Sequence, residues 1–124
     1  MTPSGNTLSK DERLSSKVAI SALMKGGRHG AAGPLRYCFA VRPEGGRNRF
    51  MVSVPKRNFK RAVKRNLLKR RIRESYRLRK GLLPPVGADL LLVYLPKTIL
   101  PFSDIYSAVG DVLSEVAALT EGKK

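Results

Sequence analysis

The sequence has few of the residues from which proteins build disulfides, metal sites and catalytic centres. Its 124 residues include one cysteine, one histidine and nine acidic residues. An internal disulfide is therefore excluded, and no Cys/His cluster has the spacing of a zinc site. No apolar run approaches the roughly 18 residues of a membrane span, and from the polar N-terminus we expect no targeting segment. We expect a cytoplasmic protein without a bound metal or a membrane partner.

The residues that could act in catalysis stand apart from one another. His29 lies in a glycine-rich stretch without a neighbouring acid, which favours a solvent-exposed role over a general base. Asp89 is a single acid at the start of an apolar run, so a hydrogen-bonding role at a strand end is favoured over metal binding. Cys38 is interpreted as a small buried side chain. We predict no catalytic residues, so any reaction would depend on chemistry supplied by another component.

Positive charge is abundant and concentrated in one segment. Lys and Arg number 25 in the chain, and 13 of them lie between Lys56 and Lys80, where Glu74 is the only acid. A segment this basic repels itself unless a polyanion binds it or salt screens it. The sequence therefore indicates a nucleic acid partner.

The length suits one domain that can bury its own core. Residues 1–9 are polar and rich in Ser, Thr, Pro and Gly, which predicts a disordered lead-in. Residues 10–120 are expected to form a single RNA-binding domain, and residues 121–124 a basic tail.

Hydrophobic spacing predicts the element order α-β-β-α-β-α. A first helix is expected over Lys10–Lys25, capped by Ser9 and Glu12, and the segment Gly26–Pro34 is expected to be a loop. Two strands are predicted to pair as an antiparallel hairpin, followed by a basic helix, a strand covered on both faces and a final helix. The two paired strands are Leu35–Val41 and Phe50–Val54, and the basic helix is Arg61–Lys80. The covered strand is Leu90–Leu95, and the final helix is capped by Ser103.

The basic helix is predicted to have one buried stripe and one cationic edge. At about 100° per residue, Leu68, Ile72 and Tyr76 share a direction that should face the sheet. A neighbouring sector, called here the cationic strip, suits a row of phosphates, which Arg contacts bidentately and Lys as a point charge. The strip consists of Asn66, Lys69, Arg70, Arg73, Arg77 and Lys80.

A solvated helix face is the alternative explanation of so many charges. Such faces usually alternate both signs at i, i+4, whereas this helix has one acid, Glu74, which is placed to orient Arg70 and Arg77. Before the helix, Lys56, Arg57, Lys60 and Arg61 lie where backbone N–H groups of the helix N-terminus can assist in phosphate binding.

The segment AVKRNLLKRRIRE, from Ala62 to Glu74, resembles the signature of the protein subunit of bacterial ribonuclease P. The resemblance extends over about residues 10–118, and it departs from the family at Leu67, where an arginine is usual. It implies a small α/β sandwich similar to a ribosomal protein domain, with the basic helix in a left-handed β-α-β crossover, although such crossovers are normally right-handed. The matching positions in the signature are Ala62, Val63, Arg65, Asn66, Lys69, Arg70, Arg73 and Glu74.

The resemblance also implies a function in removing the 5′ leader of precursor tRNA. The catalytic centre and its Mg²⁺ ions would belong to the RNA subunit, with one protein bound to each RNA. A cleft between the first helix and the sheet would hold the single-stranded leader, with Ile20 and Met24 in place of the usual phenylalanines and with Tyr37 and Phe39 as platforms. The residues expected to bind the catalytic RNA are Lys56, Arg57, Arg61, Lys64, Arg65, Asn66, Lys69, Arg70, Arg73 and Arg77.

Two other classes of function fit the charge alone. A structural ribosomal-type protein or an RNA chaperone would have the same basic surface without a leader-binding cleft. A double-stranded DNA binder would need base-reading residues on a recognition helix, whereas this helix presents almost only phosphate partners.

Overall fold

A computed structural model describes residues 17–43 and 45–121 of the chain. It contains three helices and four strands within those ranges, together with a short 3₁₀ turn at Lys80–Leu82. The predicted lead-in, the predicted cap formed by Ser9 and Glu12, and residues 122–124 lie outside the described residues. The elements are α1 (Lys17–Gly26), β1 (Arg28–Ala32), β2 (Leu35–Val41), β3 (Arg49–Ser53), α2 (Ala62–Arg79), β4 (Ala88–Tyr94) and α3 (Phe102–Glu121).

The four strands form one mixed sheet in the order β1-β2-β4-β3. β4 pairs antiparallel with β2, placing Leu35 opposite Tyr94, and parallel with β3, placing Phe50 opposite Leu90. The predicted hairpin between β2 and β3 is therefore wrong, because β4 lies between them. β4 is the most apolar strand and is covered on both faces as predicted, so it occupies the centre, and α2 supplies the crossover that a parallel pair requires.

The prediction of a loop over Gly26–Pro34 is also wrong. Residues 28–32 form the edge strand β1, which pairs antiparallel with β2 across a tight turn where Gly33 has φ +57°. Gly30 lies opposite Tyr37, and a Cβ at this position would stand 2.5 Å from the Tyr37 ring. A glycine that permits this close contact belongs to the strand, although glycine normally signals a turn.

One face of the sheet packs against α2 and α3 and forms the main core. The predicted stripe of α2 is confirmed, since Leu68, Ile72 and Tyr76 are all buried, and the Tyr76 ring stacks on Phe50 with centroids 4.0 Å apart. α3 likewise buries one apolar stripe, formed by Ile105, Val109, Val112 and Val116. The architecture is the α+β class expected.

The opposite face of the sheet carries α1, which packs on β2. Leu23 lies in a small second core with Cys38 and Leu91, and Ile20 packs against its border. Met24, expected on the apolar face of this helix, is 51% exposed. The two sides of the sheet therefore differ, with a full core on one side and a partly open face on the other.

Candidate nucleic acid interface

The cationic strip lies on the solvent side of α2, beside the buried stripe that anchors the helix. Arg70 and Arg73 are exposed and Lys69 is partly exposed. Among the described residues, no acid forms an ion pair with any of these three side chains. Their charges are therefore available to an external anion, which is the electrostatic requirement for contacts with a phosphate backbone.

Arg77 at the end of the strip has an internal partner. Its guanidinium donates from Nε to Glu74 Oε1 at 3.1 Å, and its Nη2 forms a second short bond to the same carboxylate. These hydrogen bonds lower the pKa of Glu74, so that the carboxylate stays ionised and oriented. The predicted orienting role of Glu74 is confirmed for Arg77.

Arg65 has a structural contact that the sequence did not indicate. Its Nη1 donates to the carbonyl oxygens of Phe59 and Lys60 at 2.7 and 2.9 Å, which ties the connection after β3 to the first turn of α2. The guanidinium remains partly exposed and keeps its other N–H donors. Arg65 therefore holds the shape of the connection that presents its basic neighbours.

A pocket of about 320 Å³ lies at the N-terminus of α2. The first turn of α2 contains no acid, and its N-cap residue Arg61 makes no side-chain cap, so both the helix dipole and the free N–H groups favour an anion here. Lys97, from the connection between β4 and α3, joins this pocket but could not be found from the sequence, because the fold alone brings it there. The pocket is lined by Asn58, Phe59, Lys60, Arg61, Lys64, Lys97, Thr98 and Ile99.

The remaining predicted RNA-binding residues are accessible to solvent. Lys56 and Arg57 are exposed in the turn that follows β3, and Arg61, Lys64 and Asn66 are exposed along the first turns of α2. None of the ten predicted positions is buried. The sheet-to-helix connection and α2 thus both present basic side chains to solvent.

The α1 side of the sheet is the second candidate surface. Strand alternation places Ala40, Met51 and Val93 on this face, where they are partly buried beside the small core under α1. With Ile20 and the exposed Met24 on the helix, they form an apolar surface that remains open to solvent in part. Met51 and Val93 were not identified from the sequence, because the strand order that brings them beside α1 was predicted incorrectly.

Tyr37 and Phe39 do not lie on this surface. Both rings point to the α2 and α3 side, where they are 3% and 1% exposed. The Tyr37 hydroxyl donates to Glu115 Oε1 of α3 at 2.8 Å, and burial together with this bond raises the pKa of the phenol. Their predicted role as stacking platforms in the cleft is therefore wrong, because strand alternation puts them on the opposite face from α1 and leaves no ring face for a base.

Two arginines mark one end of the open face. Asp89 is buried at the start of β4, where it accepts hydrogen bonds from Arg49 Nε and Nη2 at 2.7 and 2.8 Å and forms an ion pair with Arg42. The predicted hydrogen-bonding role of Asp89 is confirmed. One carboxylate thus holds both guanidinium groups at this end of the α1 face.

The remaining candidate residues have no arrangement suited to catalysis. Cys38 is buried and donates to the Leu23 carbonyl oxygen at 3.2 Å, and burial raises the pKa of its thiol. His29 is exposed, as predicted, although it lies on a strand. Among the described residues, no three His, Cys, Asp or Glu side chains form a group that could hold a metal. In the same part of the chain, every helix is too short or too polar to cross a bilayer.

Comparison with known proteins agrees with this geometry. The family model described as Ribonuclease P matches residues 8–117. A ribonuclease P protein component of Porphyromonas gingivalis is 40% identical over 87 residues, which cover 68% of this chain and 64% of the relative. The same component from a second strain is 42% identical over 81 residues, covering 64% of this chain and 59% of the relative. The matched part thus spans less than two thirds of either relative.

Solved structures show the same fold. The ribonuclease P protein of Thermotoga maritima superposes with a TM-score of 0.73 at 23% identity, covering 84% of this chain and 96% of that one. The Staphylococcus aureus protein gives a TM-score of 0.72 at 21% identity, covering 86% and 94%. Since the family model covers most of the sequence, including the whole of α2 and its basic surface, the chain belongs to the ribonuclease P protein family.

Proposed function

We propose that the chain is the protein subunit of ribonuclease P and acts in the cytoplasm with one RNA subunit. Its task would be to bind the catalytic RNA and the single-stranded 5′ leader of precursor tRNA, and so to promote cleavage at the 5′ end of the tRNA. The observation that carries this proposal is the cationic strip, whose central residues Lys69, Arg70 and Arg73 have no described acid as a partner.

The basic surface of α2 supports the contact with the catalytic RNA. A folded RNA presents closely spaced phosphates, and a helix edge with a positive side chain at each turn can contact several of them at once. The pocket at the N-terminus of α2 extends this surface with Lys60, Lys64 and Lys97. The ten predicted residues remain the proposed contacts, and Lys97 is added to them.

The α1 face supports the contact with the leader, with a changed set of residues. Ile20, Met24, Met51 and Val93 provide apolar contact for unstacked bases, while Tyr37 and Phe39 no longer contribute. Since the described residues place no aromatic ring on this face, leader binding would depend on apolar contact and would be tolerant of base identity.

The family resemblance places Mg²⁺ ions in the RNA subunit, where they would supply Lewis acid chemistry. The described protein residues do not fit a metal site of their own, since no three His, Cys, Asp or Glu side chains among them form a group that could hold one. The protein's contribution is then to hold the substrate against the catalytic RNA and to reduce phosphate repulsion between the two RNA molecules.

The test is leader release from precursor tRNA by a cognate ribonuclease P RNA at low Mg²⁺, with and without the protein. We expect strong stimulation that declines when the leader is shortened to a few nucleotides. Met51→Lys is a suitable leader-face variant, and Leu78→Lys, at an exposed position on α2, is the matched control for the added charge. Tight RNA binding without stimulation would instead indicate a structural RNA-binding protein or an RNA chaperone.

A further inference from the structure

A second pocket, of about 260 Å³, lies between α2 and the start of α3. It is separate from the pocket at the N-terminus of α2, and it is lined by Leu67, Arg70, Arg71, Glu74 and Phe102. Its size is below the roughly 300 Å³ at which pockets for drug-sized ligands begin, so it suits a single planar group.

Phe102 forms an aromatic wall of this pocket and packs against Tyr106. Its ring is 38% exposed and lies 5.8 Å from the ring of Tyr106, one turn further along α3. The Arg79 guanidinium in turn lies 4.6 Å from the Tyr106 ring, in space that Gly110 leaves open, since a Cβ there would stand 2.5 Å from Arg79 Cζ. The Phe102 ring thus packs beside Tyr106 and remains exposed in part.

The walls of the pocket are fixed relative to each other. Arg71 of α2 donates from Nη1 to the carbonyl oxygen of Leu100 at 2.8 Å, which joins α2 to the residues just before α3. Glu74 is held by its bonds to Arg77. Because these side chains are already held in place, they lose little conformational entropy when a ligand binds.

The charges around the pocket match one nucleotide. Arg70 belongs both to the cationic strip and to this pocket, so a phosphate bound on the strip has its base within reach of the Phe102 ring. Glu74 presents a carboxylate whose oxygens retain lone pairs beyond those used by Arg77. An unpaired nucleotide has a stacking face, a polar edge and a phosphate. The Phe102 ring can contact the face, the Glu74 carboxylate can accept from the edge, and the Arg70 guanidinium can bind the phosphate.

We propose that this pocket binds one unpaired base of the RNA that occupies the cationic strip, an inference that rests on the proposed function. The base stacks on Phe102, an exocyclic amino group of the base donates to Glu74, and the adjoining phosphate contacts Arg70. Adenine, guanine and cytosine carry such an amino group. Uracil is disfavoured, because its N–H lies between two carbonyl oxygens that the carboxylate repels.

The first test titrates the full-length protein with tetra-adenylate, tetra-uridylate and inorganic phosphate, and follows the Phe102 ring by NMR. We expect tetra-adenylate to shift the ring signals upfield, tetra-uridylate to shift them much less, and phosphate to leave them in place. Glu74→Gln, which can still accept but also donates, should reduce the preference for adenine. Equal shifts with both oligonucleotides would overturn the role of Glu74, and no shift with either would overturn the stacking site.

The second test measures binding to the catalytic RNA over a range of salt concentrations. Phe102→Leu keeps an apolar side chain but lacks the ring, and is expected to weaken binding on the order of tenfold with an unchanged salt slope. Leu78→Ala, at an exposed apolar position on α2, is the control. Wild-type affinity for Phe102→Leu, with weakened binding for Lys69→Ala, would overturn the base site alone. Wild-type affinity for both variants would overturn the proposed function as well.

Discussion

Removing Lys69 and Arg73 together tests how the cationic strip binds RNA. Both side chains lie on the solvent side of α2, and neither has an acidic partner among the described residues, so each can neutralise one phosphate. Each lost contact lowers the slope of log K against log salt concentration by roughly 0.7 to 0.9, so Lys69→Ala/Arg73→Ala should lower it by about 1.4 to 1.8. At about 0.1 M salt this corresponds to roughly 25- to 60-fold weaker binding, which vanishes towards 1 M.

The assay is equilibrium binding to labelled catalytic RNA at several salt concentrations, without precursor tRNA. Lys25→Ala/Arg36→Ala removes the same charge from exposed positions on α1 and β2, away from the strip, and should keep the wild-type slope. Lys69→Arg/Arg73→Lys should also keep it, because the two charges remain. An unchanged slope for the Ala double variant would show that the strip faces solvent, and equal losses in strip and control variants would indicate a diffuse field instead of a defined contact.

Two further predictions concern the fold that presents these surfaces. Gly30→Ala should destabilise the protein by roughly 1–3 kcal/mol, because the new methyl group meets the Tyr37 ring and disturbs its bond to Glu115. Urea unfolding measures this, and Gly26→Ala, where a Cβ meets no atom within 4 Å, should be near neutral. The second prediction concerns the Cys38 thiol, whose pKa is raised by burial in the folded protein. Its contribution to the free energy of unfolding is complete below the unfolded pKa of about 8.5 and is lost as pH rises through the higher folded pKa. Cys38→Ala should therefore lose less stability than wild type as pH rises above the unfolded pKa of the thiol, and an equal loss would contradict the burial of an uncharged thiol.

Local structure could be predicted from spacing, whereas pairing could not. The helix expected over Arg61–Lys80 is observed at Ala62–Arg79, because its stripe of Leu68, Ile72 and Tyr76 has the period of a buried helix face. β2 and β3 are neighbours in sequence, yet β4 separates them, since the strand with two apolar faces gains most from the centre of the sheet. The local spacing of residues does not show which strand will take the centre of the sheet.

The residues of the candidate surfaces also differ in whether the sequence could predict them. The strip was predictable because all its members lie on one helix, whose geometry follows from sequence spacing. Lys97, Met51 and Phe102 could not be found, since each reaches its surface only through contacts between elements distant in the chain. Tyr37 and Phe39 were assigned to the wrong side because alternation shows which residues share a face, but not which helix covers that face.

The central position of β4 has a consequence for how the chain is made. β3 depends on β4 for its pairing, and β2, which pairs with β1 on one side, gains its partner on the other side only when β4 has been synthesised. During translation, the basic segment of α2 therefore leaves the ribosome before the sheet that will anchor it exists. A polycation emerging unfolded beside ribosomal RNA is exposed to non-specific capture, and completion of β4 is the step that would withdraw its apolar stripe into the core and leave only the cationic edge for RNA.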